Sequence, residues 1–118
     1  MKNYPKKTCE IEKLITNKSM VQLTIKGEKT RQGRNGVYGY PGEEFVLEGN
    51  KFVITDLYQE NLGDINDKEA REEGYPDLNS YKNSIFNIHK SMVLNTVKNL
   101  YWNSNAKVWV HKFKKVEQ

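Results

Sequence analysis

Cysteine and histidine are scarce in this chain: Cys9 is the one cysteine, and His89 and His111 are the only histidines. A single thiol excludes an internal disulfide and any multi-thiolate metal site, and two histidines leave no ordinary zinc set. No metal and no cofactor are therefore expected. Long apolar runs are missing too, since none approaches the roughly 18 residues of a membrane span. Lys2-Asn3-Tyr4-Pro5-Lys6-Lys7 leads into no apolar signal-peptide core. The expected setting is a reducing cytoplasm, with no membrane partner and a monomer by default. Repeats, low-complexity tracts and linkers are also absent, so one domain is expected to fill residues 1–118.

What is present is a globular composition, 36% apolar and 29% charged, enough for one modest core. The net charge of +4 hides a pattern. Residues 1–40 carry nine Lys/Arg against three Asp/Glu, residues 41–80 three against eleven, and residues 81–118 seven against one. The ends are basic and the middle acidic. If both ends share a face, that face has the footprint of a phosphate-backbone binder. Otherwise these are solvated surface charges.

Periodicity places several elements. Thr8 to Ile15 reads as a short strand or helix. Ser19 to Lys26 is ambiguous: Val21, Leu23 and Ile25 alternate as in a strand, yet Ser19 can cap a helix ending at Gly27. Tyr38-Gly39-Tyr40-Pro41-Gly42 is turn chemistry. Glu44–Leu47 and Phe52–Thr55 read as a hairpin joined across Glu48-Gly49-Asn50. Asn66 with Glu69 forms a capping-box pattern, and Gly74 suits the position after the helix. Asp77 caps a second helix in which Leu78, Tyr81, Ile85, Ile88 and Met92 follow helical spacing. Met92 to Leu100 has some helical pattern with poor boundaries. Lys107–Phe113 alternates as a strand, with Val108 and Val110 on one side and Trp109, His111 and Phe113 on the other. Trp109 reads as core, and His89 and His111 as structural.

Two segments hold the chemistry. Gly27-Glu28-Lys29-Thr30-Arg31-Gln32-Gly33-Arg34 gathers three cations in a short glycine-bearing stretch, two of them between its glycines, and the later stretch Leu62 to Tyr75 is acidic. Together they suggest a cleft with a basic wall facing a carboxylate. Lys29 near a partly buried glutamate would tune both groups, and a lysine brought toward neutral pH can act as a general base. Arg31 and Arg34 offer planar forks of donors for phosphate or carbonyl oxygen, although Arg31 alone reads first as an exposed surface charge. Tyr38, Tyr40 and Trp102 are loop aromatics suited to stacking a base. Cys9 has no evident partner for nucleophilic catalysis.

The pattern Gly27-x-Lys29-x-x-Gln32-x-Arg34 resembles the G-x-K-x-x-[E/T]-x-R signature of ASCH domains. Tyr38–Gly42, Leu62–Ile65, Glu72-Glu73-Gly74-Tyr75, the Tyr81 helix and Val108–Phe113 are similar features in the right order, from about residue 19 to 115. The resemblance implies an α+β fold, a PUA-like small β-barrel with flanking short helices, and a link to RNA. Some small bacterial members hydrolyse the acetyl amide of N4-acetylcytidine, and others are reported as ribonucleases. By this resemblance Lys29 and Glu73 match catalytic positions and Arg34 the signature arginine, whereas Gln32 stands where the amidohydrolases have threonine. Glutamine is no nucleophile. Thr30, two positions away on an extended segment, would share a face with Gln32 and can offer a hydroxyl.

The expected function is therefore an RNA- or nucleoside-binding domain, with Lys29, Arg31, Gln32, Arg34, Tyr38, Tyr40 and Trp102 at the ligand. The alternative is an amidohydrolase on N4-acetylcytidine-type nucleosides, using Lys29, Glu73 and Thr30. A ribonuclease ranks third, because Asp64 and Asp67 are better explained as helix-start residues.

Overall fold

In a computed structural model of the chain, residues 4–89 and 106–116 are described, the side chains of 86–89 excepted. The elements are α1 (Lys18–Ile25), β1 (Arg31–Arg34), β2 (Glu44–Leu47), β3 (Asn50–Asn61), α2 (Asp67–Glu73), α3 (Leu78–His89) and β4 (Lys107–Lys115). Ile11–Lys13 and Leu62–Asp64 form short 3-10 turns. The strands make one antiparallel sheet in the order β1-β4-β3-β2, curled into a half-barrel with the helices around it. This is the expected α+β class. The helical pattern at Met92–Leu100, the Ile88 and Met92 side chains, and Trp102 lie outside the described residues.

Local signals explain most element ends. Asn66 and Glu69 form a complete capping box at α2, and Gly74 closes that helix with φ 108°. Asp77 Oδ1 accepts from the Ser80 backbone N–H at 2.8 Å, starting α3 as expected. The ambiguous segment is helix α1. Its cap is Asn17, not Ser19, and its buried residues Val21 and Thr24 are three apart, the spacing of one helical face. Gly27, at φ 84°, ends it. The β2–β3 hairpin turns on Glu48 and Gly49 alone, with φ of 49° and 84°, because Asn50 already pairs with Leu47.

β3 is much longer than the expected Phe52–Thr55. It continues to Asn61 because β4 supplies backbone partners along that length, from Lys115 opposite Phe52 to Lys107 opposite Asn61. A bulge at Thr55 makes the extension workable. Before it Phe52 and Ile54 are buried; after it Leu57 is, an odd-numbered position. The extra residue reverses the alternation, so the apolar set stays on one face.

Each face of the sheet carries its own core. On the Ile54–Phe113 side, Phe45 and Phe52 join Ile11, Leu14 and Ile15 beneath the N-terminal turn. Val108 on the other side packs against Leu62, Ile65, Ala70 and Tyr81. Trp109, expected in a core, is only half-buried on its strand.

Gly74 meets two demands at once: its φ is in the left-handed region, and a Cβ there would stand 2.8 Å from Met20 Sδ. Gly74→Ala should therefore cost about 1–3 kcal/mol of folding stability, read from the urea midpoint. Asn66→Ala should lose about 1 kcal/mol through the cap. An unchanged midpoint in both variants would contradict this account of α2.

Candidate functional site

Strand alternation divides the signature segment into two sets. Lys29, Arg31 and Gly33 face α2; Thr30, Gln32 and Arg34 face the other way. The first set is buried. Lys29 is 2% exposed and Glu73 1%. The Lys29 ammonium donates to the Arg31 carbonyl at 2.9 Å and to the Glu73 carbonyl, and stands 3.8 Å from Glu73 Oε1. Lys29 and Glu73 therefore do meet. Burial pulls the Lys29 ammonium down to about 8, assisted by the Arg34 and Arg31 charges and opposed by Glu73.

Arg31 departs most from expectation. It is not a surface charge; it is fully buried, with a guanidinium surrounded by carboxylates. Nε donates to Glu73 Oε2 at 2.8 Å, one Nη to Glu60 Oε1 at 2.8 Å, and the other to Glu69 Oε2 at 3.3 Å. Burial disfavours the charge, but Glu73 and Glu60 outweigh it and hold the guanidinium above its usual range. Burial also raises the Glu60 carboxyl, and a hydrogen bond with Glu69 raises it further, against the pull of Arg31. The sequence offers no sign of Glu60 as a partner because no strand is expected there, and Glu69 reads from it only as the capping-box residue of α2.

Gly33 completes this arrangement. Its N–H donates to Glu73 Oε1 at 3.2 Å, and an added Cβ would lie 3.4 Å from Glu73 Oε2 and 3.6 Å from the Tyr81 hydroxyl. Burial, then the Glu73 charge, keeps the Tyr81 phenol protonated well above its ordinary range. The Lys29 and Glu73 side chains thus have acceptors and donors within the fold. Their chemistry ties α2 to β1.

The second set forms a half-buried face. Gln32 Nε2 donates to the Gly33 carbonyl at 2.9 Å. Arg34 donates from Nε and Nη2 to the Leu14 carbonyl at 3.2 and 2.6 Å, and its guanidinium lies 5.2 Å from the Tyr38 ring centre. In the register Arg34 opposes Trp109, and Gln59 of β3 opposes Trp109 from the other side, so the three share a face. Gln32 likewise opposes His111. The structure thus gathers Gln32, Arg34 and Tyr38, and adds Trp109. The alternation of β4 carried the signal for Trp109, but without β1 as its neighbour the indole looked like core.

Two of the expected site residues stand elsewhere. Thr30 is exposed, held through its backbone to Glu72 and Phe113, and turned away from Lys29. Tyr40 belongs to the N-terminal segment: its hydroxyl donates to the Pro5 carbonyl at 2.7 Å and its ring packs on Tyr4. Among the described residues no three His, Cys, Asp or Glu side chains are grouped to hold a metal ion, and no helix is long and apolar enough to cross a membrane.

Two tests follow from the buried network. Arg31→Met leaves Glu73 buried without its guanidinium and should cost about 3–5 kcal/mol in urea unfolding. Lys29 binds its proton less tightly when folded than when unfolded, so the unfolded state holds more protons between about pH 8 and the ordinary 10.5. Its contribution to stability should accordingly rise with pH from about 8 to 10, and that slope should vanish in Lys29→Met. A thermal-midpoint profile compares the two proteins; identical slopes would reject the assignment.

No protein-family model matches the sequence, and no curated protein does. Solved structures do match. An ASCH domain from Lactobacillus crispatus JV V101 superposes with a TM-score of 0.63 at 14% identity, over 81% of this chain and 69% of that one. A protein of Enterococcus faecalis V583 assigned to the DUF984 family model has a TM-score of 0.62 at 14% identity, over 93% of this chain and 74% of that one. The chain has an ASCH-like fold.

Proposed function

We propose that this ASCH-like domain binds single-stranded RNA or a nucleoside on the face of Gln32, Arg34, Tyr38 and Trp109. The observation that carries this reading is the division of the signature segment between the two sides of β1. On one side Lys29, Arg31 and Glu73 are buried and bonded to one another. On the other, an indole, a phenol, a guanidinium and an amide stand half-buried together. Aromatic rings stack bases at about 1–3 kcal/mol each, and an amide offers a donor and an acceptor to a base edge. The antiparallel pairing of β1 with β4 brings the basic N-terminal and C-terminal segments side by side, which suits a phosphate backbone.

A second reading keeps the amidohydrolase. Its support is Lys29, an ammonium brought down to about 8 with Glu73 at 3.8 Å. Against it stand the burial of both groups, the distance in orientation of Thr30, and glutamine at the threonine position. Binding therefore ranks first.

A fluorescein-labelled single-stranded RNA, titrated by anisotropy, should bind at low salt and weaken steeply as salt rises. Trp109→Ala should weaken binding by roughly tenfold, the equivalent of one stacked base. No retention of RNA at low salt would sink the first reading. Incubation with N4-acetylcytidine tests the second: release of cytidine and acetate, abolished in Lys29→Met, would reverse the ranking.

A further inference from the structure

His111 is buried at 0% exposure in the middle of β4, and among the described residues its ring nitrogens meet backbone groups. Nε2 accepts from the Tyr38 backbone N–H at 3.0 Å, and Nδ1 lies 3.2 Å from the Gln32 carbonyl oxygen. A carbonyl only accepts and an amide N–H only donates. These two partners therefore select one form of the ring: neutral, with the proton on Nδ1. The imidazole joins strand β1 at Gln32 to the loop at Tyr38, two of the segments that build the half-buried face.

We propose that His111 is a positioning residue for this face, a clasp that sets Tyr38 against Gln32 and opens when the ring is protonated. The imidazolium has a proton on both nitrogens. Its Nε2–H would then confront the Tyr38 N–H, donor against donor, and the loop must move or the proton must leave. This inference rests on the ligand face proposed above, but the clasp is a property of the fold and can be measured without any ligand.

Burial and charge in the surroundings favour the neutral ring. Leu57 opposes it from β3. The Tyr38 ring meets its edge at 6.0 Å with planes 80° apart. Arg34 on β1 is the cation acting on it, while the Gln32 and Trp109 backbones are its hydrogen-bonding neighbours. Burial is the largest influence, and with Arg34 it holds the imidazolium below the ordinary 6.5 despite those backbone bonds. The sign follows: an open or unfolded state takes up protons near 6.5 before the closed state does, so the clasp weakens as pH falls below that value and is whole above it.

Nitrogen-15 NMR of the full chain reads the ring directly, and exchange of the Tyr38 amide reads the clasp. The wild type should show the neutral Nδ1–H tautomer at neutral pH. The Tyr38 protection factor should be level above about pH 7 and fall between there and about pH 5. His111→Phe should lower that protection by about fivefold to tenfold at every pH, as expected for one lost hydrogen bond. His111→Gln, which keeps a donor and an acceptor, should hold protection within about threefold of wild type yet remove its acid dependence. Affinity for the labelled RNA should follow the same three profiles. An Nε2–H tautomer, or Tyr38 protection that neither acid nor His111→Phe alters, would overturn the clasp. If protection behaves as described while RNA affinity ignores it, the ligand face is misplaced and the clasp stands.

Discussion

The structure depends on one buried cation. Arg31 sits at 0% exposure at the start of an edge strand, and its guanidinium is divided among Glu60 of β3 and Glu69 and Glu73 of α2. Removing such charges from water costs several kcal/mol per ion, so the arrangement is tolerable only if nearly every donor finds an acceptor at good distance. Here the fork geometry of arginine meets that demand. The consequence is positional more than energetic. β1 is only Arg31–Arg34, too short to hold a sheet edge by its own ladder, and the guanidinium fixes both its register and the distance to α2. Gly33 lets the Glu73 carboxylate close on the strand, and Lys29 bonds to backbone oxygens on either side of the contact.

This network also decides which residues remain for a ligand. The basic wall facing a carboxylate exists, but its members face one another and are sealed beneath α2. What stays half-open is the reverse side of the same strand, where Gln32 and Arg34 meet Tyr38 and Trp109. A four-residue strand with period two thereby performs two tasks, one inward and one outward. His111, reaching from β4 under both segments, relates the outward side to the loop that covers it. The function proposed for the domain belongs to that outward side, and the buried side is the frame that holds it.

Local chemistry was readable where it is local. The Asn66–Glu69 capping box, Gly74, the Asp77 cap, the Glu44–Leu47 strand and the alternation of Lys107–Phe113 each depend on neighbours a few residues away, and each appears as expected. Where pairing is distant, the reading stopped short. β3 beyond Thr55 is polar on one side and has a bulge, so its alternation is broken in the sequence and restored only against β4. α1 offered a strand-like alternation that its end signals overrode, because a cap at Asn17 and a left-handed Gly27 act on the backbone directly. Arg31 looked exposed since its partners are 29, 38 and 42 positions away along the chain.

By itself the sequence determined the class of the domain and the order of its motifs, and its resemblance pointed to Lys29 and Glu73 as matched positions, whose meeting the fold decided. It also marked Gln32 as the departure from a hydroxyl-bearing pattern. Only the tertiary structure decided which of these charges are spent and which are offered. Burial and exposure of a cation depend on whether carboxylates from other elements converge on it, and that convergence is a property of β1, β3 and α2 packed together. The same packing set Trp109 beside Arg34 and turned Thr30 away from Lys29.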